Sequence, residues 1–153
     1  MNNEAQLGED FIKYYSDLNQ EPFSLGSISR IFGGASRETY RLSVFNKDLD
    51  ETRLIYRRSQ ASALIETDQL TEYSAYMAFQ NSKVPVPKTI AIEESADSLG
   101  APFIIMEELL GEAASPFDQA AYSPYEEELG HQFWNILGEI VIKDTNDPNL
   151  SFI

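Results

Sequence analysis

Cysteine is absent from this sequence, basic residues are scarce, and no apolar run is long. Without cysteine there can be no disulfide, thiolate metal site or cysteine nucleophile. Only 11 lysines and arginines stand against 25 aspartates and glutamates, a formal charge of -14. Binding to a nucleic-acid backbone is driven by cations that neutralise phosphates, so nucleic acid is not an expected partner. No stretch approaches the ~18 apolar residues of a membrane span, and Met1-Asn2-Asn3-Glu4 has neither the basic region nor the apolar segment of a secretory signal. A cytoplasmic protein without a membrane partner is the simplest expectation. The one histidine, His131, falls inside an amphipathic pattern, where histidine is usually a surface or packing residue.

What is present suits a domain with a real core: 153 residues, 42% of them hydrophobic. Phe11, Ile12, Tyr15 and Leu18 recur at helical spacing, predicting a short helix over Gly8–Leu18. Ser27–Phe32 and Thr39–Phe45 read as two strands, the second with Tyr40, Leu42 and Val44 alternating with polar residues. A polar turn, Asn46 to Glu51, leads to a third strand, Arg53–Ser59. Its acidic residues lack the glycine and ligand spacing of a calcium loop, so a solvated hairpin turn is the better reading. A helix follows over roughly Asp68–Asn81, with Leu70, Tyr73, Met77 and Ala78 on one face and Glu72 among packing neighbours. Val84-Pro85-Val86-Pro87 must be extended, because each proline denies helix to the residue before it. Thr89–Glu93 and Pro102–Glu107 then complete five strands in the order β, β, β, α, β, β.

Gly111–Tyr122 is a linker by composition. Ser123 is placed as an N-cap, Pro124 at the first helical position and Glu126 at the third of a last helix reaching about Lys143. Leu129, Phe133, Ile136, Leu137 and Ile140 form its apolar stripe, and Gly130 and Gly138 suggest close packing on another element. The expected fold is thus α+β: a five-stranded antiparallel sheet with one inserted helix, a short helix before it and a linker helix after it. Four segments follow: an N-terminal helix and lead-in (1–26), the sheet domain (27–110), a linker (111–122) and the last helix with the beginning of a further region (123–153).

Between the first two strands lies Phe32-Gly33-Gly34-Ala35-Ser36-Arg37. Paired glycines allow backbone N–H groups to approach a ligand closely, and Gly33, Gly34 and Ser36 could cradle phosphate. A hairpin turn needs glycine for conformation alone, so the loop carries little by itself. Its meaning comes from company: a cation on the third strand, Arg57 or Arg58, and the acidic Glu72 on the inserted helix. Alternation favours Arg57, which shares the side of Ile55. Glu107 and Glu108 are poor as an acid/base pair, since adjacent strand residues point to opposite faces.

This constellation resembles the smaller lobe of a protein-kinase-like fold. Gly33-Gly34-Ala35-Ser36-Arg37-Glu38-Thr39, Leu54-Ile55-Tyr56-Arg57-Arg58, Val84-Pro85-Val86-Pro87 and Leu99-Gly100-Ala101-Pro102-Phe103-Ile104-Ile105-Met106-Glu107 together look like the aminoglycoside phosphotransferase-like family, closest to its acyl-CoA-dehydrogenase-associated branch. The resemblance covers about residues 25–112. It implies ATP or GTP as donor, magnesium as cofactor and a small-molecule hydroxyl as acceptor. The glycine loop would cover the phosphates, with Arg57 neutralising them and Glu72 orienting Arg57. Met106 would be the gatekeeper, the Glu107 carbonyl would accept from adenine, and the Leu109 N–H would donate to its ring. The family's His-Gly-Asp motif, following asparagine and magnesium aspartate are missing here, so no catalytic or metal residue is expected in this chain. The expectation is a nucleotide-binding lobe, inactive alone and able to self-associate through its last helix; the alternatives are a stand-alone pseudo-lobe that binds nucleotide or partner without chemistry, and an acidic interaction domain. In a complete protein, Arg57→Ala and Glu72→Ala are expected to lower transfer while barely altering the fold.

Overall fold

The computed structural model describes residues 3–32, 37–59, 69–111, 117 and 119–143. Its elements are α1 (Asn3–Asn19), β1 (Ser24–Ile31), β2 (Arg37–Phe45), β3 (Glu51–Ser59), α2 (Gln69–Phe79), β4 (Thr89–Glu93), β5 (Phe103–Glu107), α3 (Gln119–Tyr122), a 3-10 turn (Ser123–Tyr125) and α4 (Glu126–Val141). The strands form one antiparallel sheet in the order β1-β2-β3-β5-β4. The expected α+β architecture is therefore present, with α2 carrying the chain from β3 to the far edge strand β4.

Side-chain alternation divides the sheet into two chemically different faces. Tyr40, Leu42 and Val44 of β2, Leu54 and Tyr56 of β3, and Phe103 and Ile105 of β5 are buried with Phe11 and Tyr15 of α1. Edge-on aromatic contacts join these layers: Phe11 to Tyr56 at 5.3 Å, Tyr56 to Phe103 at 5.2 Å and Tyr14 to Phe103 at 5.1 Å between ring centroids. Among the described residues, α2 packs on the opposite face mainly at its β4–β5 end. Ile104 is accordingly buried although Ile105 is too, so β5 is apolar on both sides, as a strand between two layers must be.

Element ends differ from the periodicity reading in ways that have local causes. β1 begins at Ser24 rather than Ser27, and its register shifts between Leu25 and Ser27. Gly26 sits at that irregularity, where an added Cβ would lie 2.4 Å from the Phe45 ring, so only glycine fits without displacing it. The β2–β3 turn is organised by Asn46, whose Oδ1 accepts from the Asp48 and Asp50 N–H groups at 2.9 Å each. The acidic residues singled out in this turn are thus held by an asparagine the sequence reading did not single out. Ser123 does not cap α4: it lies inside the 3-10 turn that continues from α3, and α4 starts at Glu126 behind Tyr125 without a side-chain cap. An N-cap needs a non-helical backbone, which the preceding helical turn removes.

No described side chain of α4 is buried, and Phe133 and Trp134 stand largely in solvent. Gly130 and Gly138 meet nothing within 4 Å among the described residues, so the close packing expected there is not found. The helix is tied to the rest by Lys83 Nζ to Glu139 Oε1 at 2.9 Å and by Lys143 Nζ over the Phe79 ring at 5.6 Å.

One core hydroxyl gives a direct stability test. The Tyr56 hydroxyl is buried with no hydrogen-bond partner among the described residues, and burial pushes its pKa up to about 12. An unsatisfied buried polar group costs about 1–3 kcal/mol, so Tyr56→Phe should leave stability unchanged or raise it by about 1 kcal/mol at neutral pH. Because the folded pKa exceeds the ordinary value of 10.0, the unfolded chain gives up this proton first, so the contribution of Tyr56 is constant below pH 10 and turns increasingly unfavourable to folding as pH rises toward 12. Urea titrations of both proteins at pH 7 and pH 11 should show a smaller alkaline loss in Tyr56→Phe; an equal loss would remove Tyr56 as the source.

Candidate nucleotide-binding face

Strand registers lay out the half-open sheet face in transverse rows. Ile31, Thr39, Arg57 and Ile104 form one row, and Ser29, Arg41, Ile55 and Met106 the next. Ser27, Ser43 and Arg53 continue the pattern toward Glu108, whose N–H donates to the Arg53 carbonyl at 3.0 Å. A cation, an apolar wall and a polar end are thus placed along a single surface.

Glu72 is the electrostatic centre of this face. It lies in the first turn of α2, which packs over β4 and β5 and points that turn at β2 and β3. Glu72 Oε1 accepts a charge-assisted hydrogen bond from an Arg57 terminal nitrogen, and Glu72 Oε2 lies 3.6 Å from Arg37 Nη2. Tyr76, one turn along α2, donates its hydroxyl to Glu72 Oε1 at 3.1 Å. Burial first, and the Glu72 charge second, hold the Tyr76 pKa above its ordinary value, so it keeps its proton and remains a donor at neutral pH. The Arg37 side chain is 5% exposed, Glu72 19% and Arg57 28%, a gradient that leaves Arg57 as the guanidinium facing water.

The structure separates Arg57 from Arg58. Arg58 belongs to the α1 side of the sheet with Tyr56 and Leu54, and among the described residues its nearest carboxylate is Glu38, 3.8 Å away and shared with Arg30 at 3.2 Å. Arg57 and Glu72 are brought together; Arg58 is not part of that cluster. Arg37 was missed by the sequence reading, although its place one residue after the glycine loop and in phase with Thr39 and Arg41 was a usable signal.

At the end of β5, Met106 is buried on the Ile55 side of the sheet, opposite Ile55 on β3 and Thr89 on β4. The Glu107 N–H is taken by the Lys88 carbonyl at 2.9 Å, and the Glu107 side chain is exposed. The chain then leaves the sheet, and among the described residues the Leu109 N–H makes no hydrogen bond. Glu108 turns back onto the open face and pairs with Arg41. Beside that pair is a shallow recess of about 180 Å³ lined by Ser27, Arg41, Ser43, Glu51, Arg53 and Glu108. The glycine-loop residues Gly33, Gly34 and Ser36 lie outside the described residues, between the described ends of β1 and β2. Among the described residues no group of three or more acidic or histidine side chains could hold a metal ion, and no helix is long and apolar enough to cross a membrane.

A family model described as the phosphotransferase enzyme family matches residues 27–148. Among solved structures, a crystal structure from Ralstonia eutropha JMP134 described as a "putative aminoglycoside phosphotransferase" is similar in fold, with a TM-score of 0.52 and 23% identity over 70% of this chain. The chain spans 29% of that protein's length. No curated protein matches.

Proposed function

The chain belongs to the phosphotransferase enzyme family, and we propose that within it these residues hold the phosphoryl donor, a purine nucleoside triphosphate, ATP or GTP. The observation that carries this reading is the Arg57–Glu72 pair, with Arg37 and Tyr76 on the same carboxylate, on the open sheet face beside Met106. A triphosphate needs a cation whose position is fixed before it arrives, since ordering a loose arginine would cost side-chain entropy on binding. Glu72 supplies that order and Arg57 is the exposed end of the cluster. The small-residue loop Gly33-Gly34-Ala35-Ser36 would offer backbone N–H groups over the phosphates, with Ser36 beside them. The base would lie against Ile55 and Met106, with the Glu107 carbonyl and Leu109 N–H on its polar edge.

Magnesium accompanies the donor in this reading, but the described residues do not form a site for it, and its ligands would come from a further lobe. The acceptor hydroxyl, on a small molecule, would be bound and deprotonated there too. This chain alone is therefore proposed to bind nucleotide without turning it over. A thermal-shift titration tests the reading: ligand at 100 times its dissociation constant stabilises by about 2.7 kcal/mol, so MgATP or MgGTP should raise the Tm by several degrees. Lack of a shift with either nucleotide at millimolar concentration would overturn it.

A further inference from the structure

We infer that Arg41, clamped by Glu108, is the stacking platform and outer wall of the base subsite. This rests on the nucleotide reading above and adds to it a residue that selects for the base rather than for the phosphates. Arg41 stands on β2 and Glu108 follows β5, with β3 lying between those strands. Strand spacing puts β2 and β5 roughly 9–10 Å apart, and Glu108 is held beside β3 by its N–H bond to the Arg53 carbonyl, so the two side chains meet over the strand between them. Arg41 starts in the row of Ile55 and Met106 and Glu108 in that of Arg53, so the pair lies toward the end of the face opposite Arg57.

The pair is unevenly covered. The Glu108 side chain is only 8% exposed and its second oxygen, Oε2, is buried without a hydrogen-bond partner among the described residues, whereas Arg41 is 55% exposed. A surface arginine normally samples many rotamers; one held through Nε by a buried carboxylate keeps its guanidinium plane fixed and its face free. Such a plane suits an aromatic base, through stacking and cation–π attraction. The buried anion remains because Arg41 neutralises it, which accounts for a carboxylate sitting under a wall where an anionic ligand approaches. A larger purine ring gains more from this platform than a pyrimidine.

Isothermal titration of the 153-residue chain with ATP, GTP, UTP and inorganic tripolyphosphate tests the assignment. Arg41→Ala should weaken purine nucleotides about 10-fold, UTP less, and tripolyphosphate not at all. Arg41→Lys, which keeps the charge and loses the plane, should not restore purine affinity, and Glu108→Gln should lie between wild type and Arg41→Ala. Unchanged purine affinity in Arg41→Ala, or full recovery in Arg41→Lys, overturns the platform while leaving the nucleotide reading intact. A uniform loss that includes tripolyphosphate would reassign Arg41 to the phosphates. If the wild-type chain binds no nucleotide, both readings fall.

Discussion

Glu72→Ala is expected to destabilise the fold by about 3 kcal/mol, a Tm loss of roughly 6–12 °C, as well as to weaken nucleotide binding. The sequence alone suggested a change nearly silent for folding, because a helix glutamate facing a strand arginine reads as a functional pair. Arg37 changes that expectation. Its guanidinium is nearly buried and stands 3.6 Å from Glu72 Oε2, so deleting the carboxylate removes an anion from beside a desolvated cation. The figure sits at the lower end of the range for broken buried pairs, since Arg57 is partly in water and can regain hydration. Glu72→Gln keeps an acceptor for Tyr76 and Arg57 and should lose about half as much. Urea denaturation with both variants measures this; a loss below 1 kcal/mol in Glu72→Ala would show that Arg37 does not depend on this carboxylate.

The contrast between what the sequence showed of Arg57 and of Arg37 is instructive. Strand and helix identities followed from period-2 alternation in β2, from the short apolar run of β5 and from the 3.6 period in α1, because burial on one face or on both imposes those patterns directly. The choice of Arg57 over Arg58 followed from the same alternation. Arg37 was in phase with Thr39 and Arg41, and only its contact with Glu72 on α2 lay beyond the pattern; the Arg41–Glu108 clamp did not follow because it needs a cross-strand register, with 67 positions of sequence and an intervening strand between the two residues. The Ser123 cap failed for a related reason, since its chemistry was right for a helix start but the preceding residues were already helical. The stripe on α4 was legible as an amphipathic pattern, yet a pattern says only that a face is apolar and not what lies against it.

Arg57→Ala should separate function from folding where Glu72→Ala cannot. Arg57 is the exposed member of its cluster, and its removal leaves Glu72 still facing Arg37 and accepting from Tyr76, so the stability change should stay within about 1 kcal/mol. Its proposed task is to meet negative charge on the transferring phosphates, where loss of one fixed donor typically costs about 10²–10³ in rate, or roughly 2.7–4 kcal/mol of transition-state stabilisation. In a complete protein carrying this lobe, Arg57→Ala should therefore lower kcat by that factor with an unchanged urea midpoint. Arg57→Lys, which retains a point charge without the fork, should recover part of it. Arg58→Ala is the internal control: it lies on the opposite face with Glu38 and should leave turnover within about twofold of wild type. If Arg58→Ala abolishes transfer while Arg57→Ala spares it, the charged face that meets the donor is the α1 side of the sheet, and the Glu72 cluster is a structural tie between α2 and β3.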